Sequence, residues 1–450
     1  MVAVSGGSDS MALLYLANAW ARQNKREIHA VSVDHGLRPE AAAEAAFVAM
    51  VCDGLDIVHT TLSWDGVKPQ TGISAAARHA RYQLMEEFAN DIGVRIILSG
   101  HTADDQAETV LMRLGRSVWI DGSGNSEVEV LNSARGHSGM CRRTQLGGGA
   151  LLMRPLLGLS RQDLREYLNE ISQSWIEDPS NHDESYERVR IRKRLFMDDK
   201  FKTRLYQYAG VMGRMRQVVA QDASNLLRQC CNCEPGHVFV ISYAQLKAAP
   251  QQVGTMALKS VVAVAGGNSH LISDGQAHQI WQLCNQPKEG RITLGGCIIE
   301  WANAQLSIFR EVRNLHPAVV EDSQTLLWDG RVHITNDSDG TVHIGPMADK
   351  FSSEFIDNAG DKFAALRKAV LLSSPVITTY EGVDVPIYFN KSSLPAQVDI
   401  RTGARALELF CPEWEFSLLE WLLSIDLATD QRNHSAIDGN DATEGKKDAR

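Results

Sequence analysis

The sequence predicts an α/β fold: an N-terminal parallel sheet with helices on both faces, followed by helical and mixed α+β accessory domains. Three observations carry this. Over roughly the first 175 residues, short Val- and Ile-rich runs alternate with longer Ala-rich stretches of helical pattern, the order that builds a parallel sheet covered by helices. The strand runs are almost continuously apolar, as in Ile28–Val33, which fits burial on both faces. From about Val238 the alternation gives way to a different composition, with a hairpin pattern over Gly295–Phe309 and short strands and turns over 326–395.

The expected strands are Met1–Val4, Ile28–Val33, Asp56–Leu62 and Val94–Ser99. The helices between and after them are Asp9–Gln23, Pro39–Cys52, Ile73–Asp91 and Ala103–Leu114. Residues 117–150 are rich in glycine and poor in large apolar side chains, and read as a long mobile loop. Leu151–Pro155 returns to the sheet. Ser160–Ser172 reads as a helix with Ser160 as its N-cap and Asp163 in its first turn. Tyr186–Gln229 is helical and basic, and Ser242–Ala248 and Gln251–Ala265 are helices separated by Pro250. The segment after Leu427 is polar, charged and expected to be disordered.

Composition narrows the class. The chain has 450 residues, 44% hydrophobic and 22% charged, an ordinary balance for a globular protein of two or three domains. No apolar run is long enough to span a bilayer and the N-terminus lacks a signal-peptide pattern, so a cytoplasmic protein without membrane contact is expected. The eight cysteines are scattered apart from Cys230, Cys231 and Cys233. That cluster lacks a second ligand pair at zinc spacing and reads as reduced thiols. A net charge of −10 argues against non-specific coating of nucleic acid, but one local face is basic. Residues 186–216 carry ten Lys and Arg, among them Arg188, Arg190 and Arg192, against three acidic residues. This stretch is either a solvated helical face or an RNA contact.

The most informative segment is Ser5-Gly6-Gly7-Ser8-Asp9-Ser10, between a strand and a helix. Adjacent glycines allow close backbone approach and positive φ, and the N–H groups of the turn and new helix converge on an anion. It is neither a Walker A loop, since no Gly-Lys-Ser/Thr follows, nor the Gly-x-Gly-x-x-Gly fingerprint. It resembles the PP-loop, whose members cleave ATP between the α and β phosphates. Ser5, Gly6, Gly7, Ser8, Asp9 and Ser10 are then the ATP-binding residues. Asp9, an acid beside phosphate, is the candidate Mg²⁺ ligand.

Three further segments, in order, extend the resemblance: Val33-Asp34-His35-Gly36-Leu37-Arg38-Pro39-Glu40, Ala76-Ala77-Arg78-His79-Ala80-Arg81-Tyr82, and Ser99-Gly100-His101-Thr102-Ala103-Asp104-Asp105-Gln106-Ala107-Glu108-Thr109 running on to Arg113. A weaker fourth is Asp178-Pro179-Ser180-Asn181 with Tyr186 and Arg188-Val189-Arg190-Ile191-Arg192. Together they resemble the tRNA(Ile)-lysidine synthetase family over residues 1–195. The resemblance implies that ATP adenylates the carbonyl oxygen of the first anticodon base, a cytidine, and that lysine displaces AMP. Implied partners are tRNA(Ile) with a CAU anticodon and L-lysine, with a homodimer as one assembly option and ATP and Mg²⁺ as cofactors. The candidate catalytic residues are Asp34, His35, Asp104, Asp105 and Arg113. The substrate-binding candidates are Arg78, Arg81, His101, Arg188, Arg190 and Arg192. The alternative readings are a helix cap for Asp104, a strand-end loop residue for His35 and, more commonly for any single arginine, a surface ion pair. The domains expected are a PP-loop catalytic domain (1–182), a basic helical linker and middle domain that binds tRNA (183–320), a C-terminal accessory domain (321–426) and a tail (427–450).

The chain departs from the family pattern in three places. Met1 already lies inside the first strand, so either the start lies upstream or the first strand is short at one end. Gly115-Arg116-Ser117 leads into a longer insert than the usual short link, and Val189 stands where Asn is more common. The rivals are a tRNA thiolase of the same loop class, another ligase such as an amidotransferase or NAD synthetase, and a nucleotide-binding module without catalysis. The thiolase needs cysteines near the site, and Cys52 and Cys141 form no Cys-x-x-Cys pair.

Overall fold

The computed structural model describes residues 1–450 other than 38–39, 66–67, 70, 121–133, 178–186, 197–198, 235, 284–288, 348–367, 404, 409 and 426–450. The N-terminal sheet contains β1 (Val2–Ala3), β2 (His29–Asp34), β3 (Val58–Ser63), β4 (Ile96–Leu98), β5 (Arg143–Leu146) and β6 (Leu151–Met153). Strands β3, β2, β1, β4 and β6 lie side by side in that order and are parallel, with Val2 opposite Ala30 on one side and Leu98 on the other. The chain leaves β1 for one neighbour and reaches the other only after β3, so β1 lies at the point where strand order reverses. Open α/β sheets bind ligands at such points, beyond the carboxyl ends of the strands.

The helices are α1 (Ser8–Asn24), α2 (Ala41–Gly54), α3 (Ile73–Asp91), α4 (Ala103–Ile120), α5 (Ala134–His137), α6 (Arg161–Glu170), α7 (Glu187–Phe196) and α8 (Asp199–Cys230). Side chains alternate across each strand, so the sheet feeds two cores. Val2, Ala30 and Leu98 pack with Met11 and Leu14 of α1, Val48 and Cys52 of α2, and Leu164 and Leu168 of α6. Met1, Val31, Ile97 and Leu152 pack against Met85 and Ala89 of α3. Ser160 caps α6 as expected. The Asp163 N–H donates to its hydroxyl at 3.1 Å and the Ser160 N–H donates back to the Asp163 carboxylate at 2.9 Å. Such a cap contributes about 1 kcal/mol.

The accessory region begins on the second half of α8. Strands β7 (Cys231–Glu234) and β8 (Val238–Ser242) pair antiparallel, and α9 (Tyr243–Ala248), α10 (Gln251–Gly266) and α11 (Asp274–Leu283) follow. β9 (Gly290–Leu294), β10 (Cys297–Ala302) and β11 (Gln305–Arg310) complete a five-stranded sheet over the almost wholly buried α10. The expected hairpin is β10–β11. Its two-residue turn places Asn303 and Ala304 at φ 50° and 60°, the left-handed pair that matches strand twist. Beyond it, strands between Ala318 and Thr402 form two small antiparallel sheets around Val320, Trp328, Ile334, Ile377 and Ile400.

Two expectations need correction. The segment 117–150 is not one long loop: α4 continues to Ile120, α5 follows, and β5 joins the sheet edge antiparallel to β6. Only residues 121–133 of that segment lie outside the described residues. Nor do residues 321–426 form one accessory body. Phe410–Pro412 returns to the N-terminal sheet as a strand antiparallel to β5, and the helix Phe416–Leu423 packs into the core shared by α8 and α10. Glu413 accepts from the Arg142 N–H at 3.0 Å and the Arg143 guanidinium at 2.8 Å, and the fully buried Glu415 pairs with Arg216 of α8 at 2.7 Å. Trp414 lies against Gly213, where a Cβ would come within 2.8 Å of the indole.

Burial makes one accessory residue a pH sensor of stability. His237 is buried against Phe239 and Tyr388, and both ring nitrogens lack a hydrogen-bond partner. Burial, and then Arg331, push its pKa down to about 3 from an ordinary 6.5. The unfolded chain therefore takes up a proton below pH 6.5 that the folded chain refuses until about pH 3. Stability contributed by the neutral ring is complete above pH 6.5 and drains away as pH falls towards 3. His237 sits at φ 60°, which asparagine tolerates. In His237→Asn, urea unfolding between pH 7.5 and 5.0 is expected to lose up to about 1.4 kcal/mol per pH unit of slope. An unchanged slope would show that His237 does not titrate on unfolding.

Candidate active site

The phosphate loop leaves β1 and turns into α1 within six residues. Gly6 has φ +85°, which L side chains rarely adopt, and an added Cβ would come within 3.0 Å of Ile176 Cδ1. The loop is tied internally by the Ser5 N–H donating to Ser10 Oγ at 3.1 Å and by Ser10 Oγ donating to the Gly7 carbonyl at 3.0 Å. Gly7 is the N-cap of α1 and no side chain caps the first turn, so the positive end of the helix is presented to the cavity that Gly7, Ser8 and Asp9 line. Gly100, at the exit of β4, crosses beneath this turn. An added Cβ there would meet the Asp9 carbonyl oxygen at 3.0 Å. That close approach sets the start of α4 beside the phosphate loop.

The first turn of α4 carries the acidic side of the same cavity. Thr102 and Asp105 form a reciprocal cap: the Asp105 N–H donates to Thr102 Oγ1 at 3.3 Å, and the Thr102 N–H and hydroxyl both donate to Asp105 Oδ2 at 2.9 Å. Thr102, and not Asp104, is thus the cap of α4. Asp104 instead accepts the orphan Arg161 N–H at the start of α6 at 2.8 Å and lies 3.4 Å from Lys202 Nζ.

At the centre is Arg161. Its Nε is 3.0 Å from Asp9, Nη2 is 3.3 Å from Asp105 and Nη1 is 3.7 Å from Glu108. Arg188 pairs with Asp105 at 2.8 Å and with Glu108 at 2.6 Å, and Arg192 with Glu108 at 2.8 Å. Glu108 is almost fully buried, so this pairing is what allows a charge there. Burial pushes the Asp105 carboxyl up, but Arg188, Arg161 and the Thr102 N–H prevail and hold it below the ordinary value. Asp9 goes the other way: burial, aided by repulsion from Asp105, raises it despite Arg161. Burial, with Arg154, pushes the His101 pKa down to about 3, so its ring is neutral at physiological pH and shares a 3.0 Å hydrogen bond with Ser99.

The cavity between these walls has a volume of about 860 Å³, large enough for a nucleotide with a second small ligand. Of the residues expected from sequence, Ser5, Gly7, Ser8, Asp9, Ser10, Arg81, His101, Asp104, Asp105, Arg188 and Arg192 line it. Gly6 shapes the loop from behind. Asp34, His35, Arg78, Arg113 and Arg190 are not among the lining residues. Asp34 Oδ1 accepts the Gly36 N–H at 2.7 Å, and His35 Nε2 accepts from Arg81 at 3.1 Å with Trp64 edge-on to its ring. Arg78 lies over the Tyr82 ring, and Arg113 donates to the Gly136 and Gly139 carbonyls at 2.8 and 3.1 Å. Arg190 is exposed on α7. Arg38, Pro39 and the Asp178–Tyr186 motif lie outside the described residues.

Sequence reasoning passed over Arg161, Glu108 and Lys202 as site residues. The signals were present: Arg161 follows the predicted N-cap Ser160 at the carboxyl edge of β6, and Glu108 is one helical turn beyond Asp104 and Asp105.

A strand, a double-glycine anion loop and a facing helix of carboxylates, all at the carboxyl edge of one parallel sheet, define a nucleotide-binding domain of the PP-loop class. The family model described as the PP-loop domain matches residues 1–198. Beyond that domain, the similarity runs through most of the chain. The tRNA(Ile)-lysidine synthase of Mesorhizobium japonicum is 36% identical over 393 residues, covering 86% of this chain and 84% of the relative. Those of Rhizobium meliloti and Brucella suis are 33% and 34% identical, covering 90% and 93% of this chain and 86% and 92% of the relatives. The chain belongs to the tRNA(Ile)-lysidine synthase family. Among solved structures, the U34-tRNA thiolase NcsA from Methanococcus maripaludis with its [4Fe-4S] cluster aligns at a TM-score of 0.37 and 16% identity, over 47% of this chain and 71% of that one. At that score the likeness carries no assignment.

Proposed function

We propose that the chain ligates L-lysine to the first anticodon cytidine of tRNA(Ile) bearing CAU, with ATP converted to AMP and pyrophosphate. The observation that carries this is the single cavity with two chemically opposite walls: a helix-terminus anion site on α1 and a buried carboxylate cluster on α4. The first suits the β- and γ-phosphates that leave as pyrophosphate. The second suits an amino acid's ammonium group.

The order of bond changes follows from the chemistry. The cytosine carbonyl oxygen attacks the α-phosphorus, a P–O bond forms and pyrophosphate departs. The ε-amine then attacks the activated ring carbon, and AMP leaves with the former carbonyl oxygen. The attacking amine must be neutral, and carboxylates favour the ammonium form. Asp105 and Glu108 therefore suit the α-ammonium of lysine, leaving the ε-amine to the reacting carbon. His101, held neutral, serves as a hydrogen-bonding group. Arg188 and Arg192, with the loop N–H groups, balance the charge that gathers on the phosphates.

Mg²⁺ fits beside the loop. Asp9 offers a hard oxygen ligand next to the phosphate site, and Mg²⁺ takes one or two carboxylates beside phosphate oxygens. When bound it would neutralise the departing pyrophosphate. Among the described residues, no group of three or more His, Cys, Asp or Glu side chains is set to hold a metal unaided. The basic surface of α7 and the start of α8 suits the anticodon stem. Cytosolic location and a homodimer belong to the same reading, and no described helix is long and apolar enough to cross a membrane. Thiolation is disfavoured because no cysteine is among the described residues lining the cavity.

The test incubates the protein with ATP, Mg²⁺, radiolabelled lysine and tRNA(Ile) transcript, with a transcript carrying U at the first anticodon position as control. Label that needs ATP and that cytidine is expected. AMP and pyrophosphate without label would assign the loop to another substrate.

A further inference from the structure

The two walls of the cavity are joined by one side chain. Arg161 issues from the first residue of α6 and reaches Asp9 on the phosphate loop as well as Asp105 and Glu108 on α4. Its guanidinium is mostly buried, at 18% side-chain exposure. It is therefore shared between an anion-binding loop and a carboxylate cluster, where burial weakens screening by water. Asp105 and Glu108 have Arg188 and Arg192 as well, whereas Asp9 pairs with Arg161.

Each ligand competes for one half of this arrangement. A phosphate on the loop offers Arg161 bidentate acceptors of higher charge than the carboxylates. An ammonium on α4 offers Asp105 and Glu108 a replacement cation. If phosphate draws Arg161 off the carboxylates, an ammonium meets anions already released. If an ammonium takes the carboxylates, Arg161 is released towards phosphate. Two ligands that each relieve the other's competitor bind with positive coupling, and the coupling is reciprocal.

We propose that Arg161 is the coupling residue of this site: by exchanging partners between the carboxylates of α4 and an anion on the phosphate loop, it makes the phosphate ligand and the amino acid bind cooperatively. This rests on the reading above that α4 receives the lysine α-ammonium. Its consequence is kinetic economy. Lysine is held tightly only when a polyphosphate occupies the loop, so amine and activated base are brought together in the same complex.

Calorimetry on the full chain tests this with pyrophosphate and L-lysine as probes, in Mg²⁺ throughout. Lysine is expected to bind about tenfold or more tightly with pyrophosphate present than without it, a typical coupling factor. In Arg161→Gln the two lysine affinities should converge, with the affinity in the absence of pyrophosphate rising. Arg161→Lys, which keeps the charge but cannot reach three carboxylates at once, should show an intermediate ratio and checks that the site stays folded. A merely structural role would weaken both lysine affinities alike and leave their ratio intact, which overturns the proposal. So does a wild-type ratio near one. Lysine binding under neither condition, with pyrophosphate still bound, would sink the substrate reading itself and this inference with it.

Discussion

Asp105→Asn is expected to lower lysidine formation by about 10²–10³-fold in kcat/KM while the protein stays folded. The substitution is isosteric, but the geometry is unforgiving. Oδ2 already accepts from both the N–H and the hydroxyl of Thr102, so the amide must present its oxygen there. Its NH₂ then faces the guanidinium groups of Arg161 and Arg188, donor against donor, where Oδ1 accepted at 3.3 and 2.8 Å. Two charge-assisted hydrogen bonds are lost, each contributing about 1.5–3 kcal/mol. The ammonium that takes a guanidinium's place in the complex loses the same acceptor, and at roughly 1.4 kcal/mol per tenfold in rate two such bonds at the lower end of that range reach about 10². Pyrophosphate should still bind, since the loop donors on α1 are untouched. Activity within about fivefold of wild type, measured with saturating tRNA, would remove Asp105 from the machinery.

The parts of this site that the sequence revealed are those encoded by local pattern. A strand, two glycines and three serines within nine residues announce an anion loop because the backbone alone builds it. The expected helix Ile73–Asp91 matches α3 at both ends because its periodicity is long enough to be unambiguous. The acidic pair at 104–105 was visible as residues beside a strand end. What it does depends on Arg161, Arg188 and Lys202, which come from three other elements and meet it only through tertiary folding. Arg113 illustrates the reverse: it lies in the same motif, yet helical rotation aims it at the carbonyls of 136 and 139 instead of the cavity. His35 likewise sits at a strand end but turns to Arg81 and Trp64. Strand-end position places a residue near a site; the direction of its side chain decides whether it enters.

The C-terminal return to the sheet had no local signal. Phe410–Pro412 is three residues long, too short for any period, and its partner β5 sits in a glycine-rich stretch that reads as loop. The pairing is decided by side chains 270 residues apart, such as Arg143 and Glu413. This clasp leads to the second large effect. Glu415→Ala is expected to destabilise the protein by about 3–5 kcal/mol, because it leaves Arg216 buried and unpaired. Glu415 is fully buried and Arg216 nearly so, so solvent does not screen the loss. Arg216 also donates to the buried Ser138 at 3.2 Å and lies over Trp414, so neighbouring groups lose their anchor too. Glu415→Gln keeps an acceptor and should cost less. The double variant Arg216→Met with Glu415→Leu should recover most of the loss, because paired removal leaves no uncompensated charge. The effect should also reach catalysis. Ser138 is two residues from Met140, whose N–H and carbonyl are held reciprocally by Gln106 at 2.6 and 2.9 Å, and Gln106 lies between Asp105 and Glu108 on α4. Urea denaturation measures the stability, and ligase rate at temperatures where Glu415→Ala remains folded measures the coupling. A rate that falls there while far-ultraviolet dichroism is unchanged means the clasp positions α4. A rate that survives means it holds the fold alone, and the catalytic helix is fixed by its own arginines.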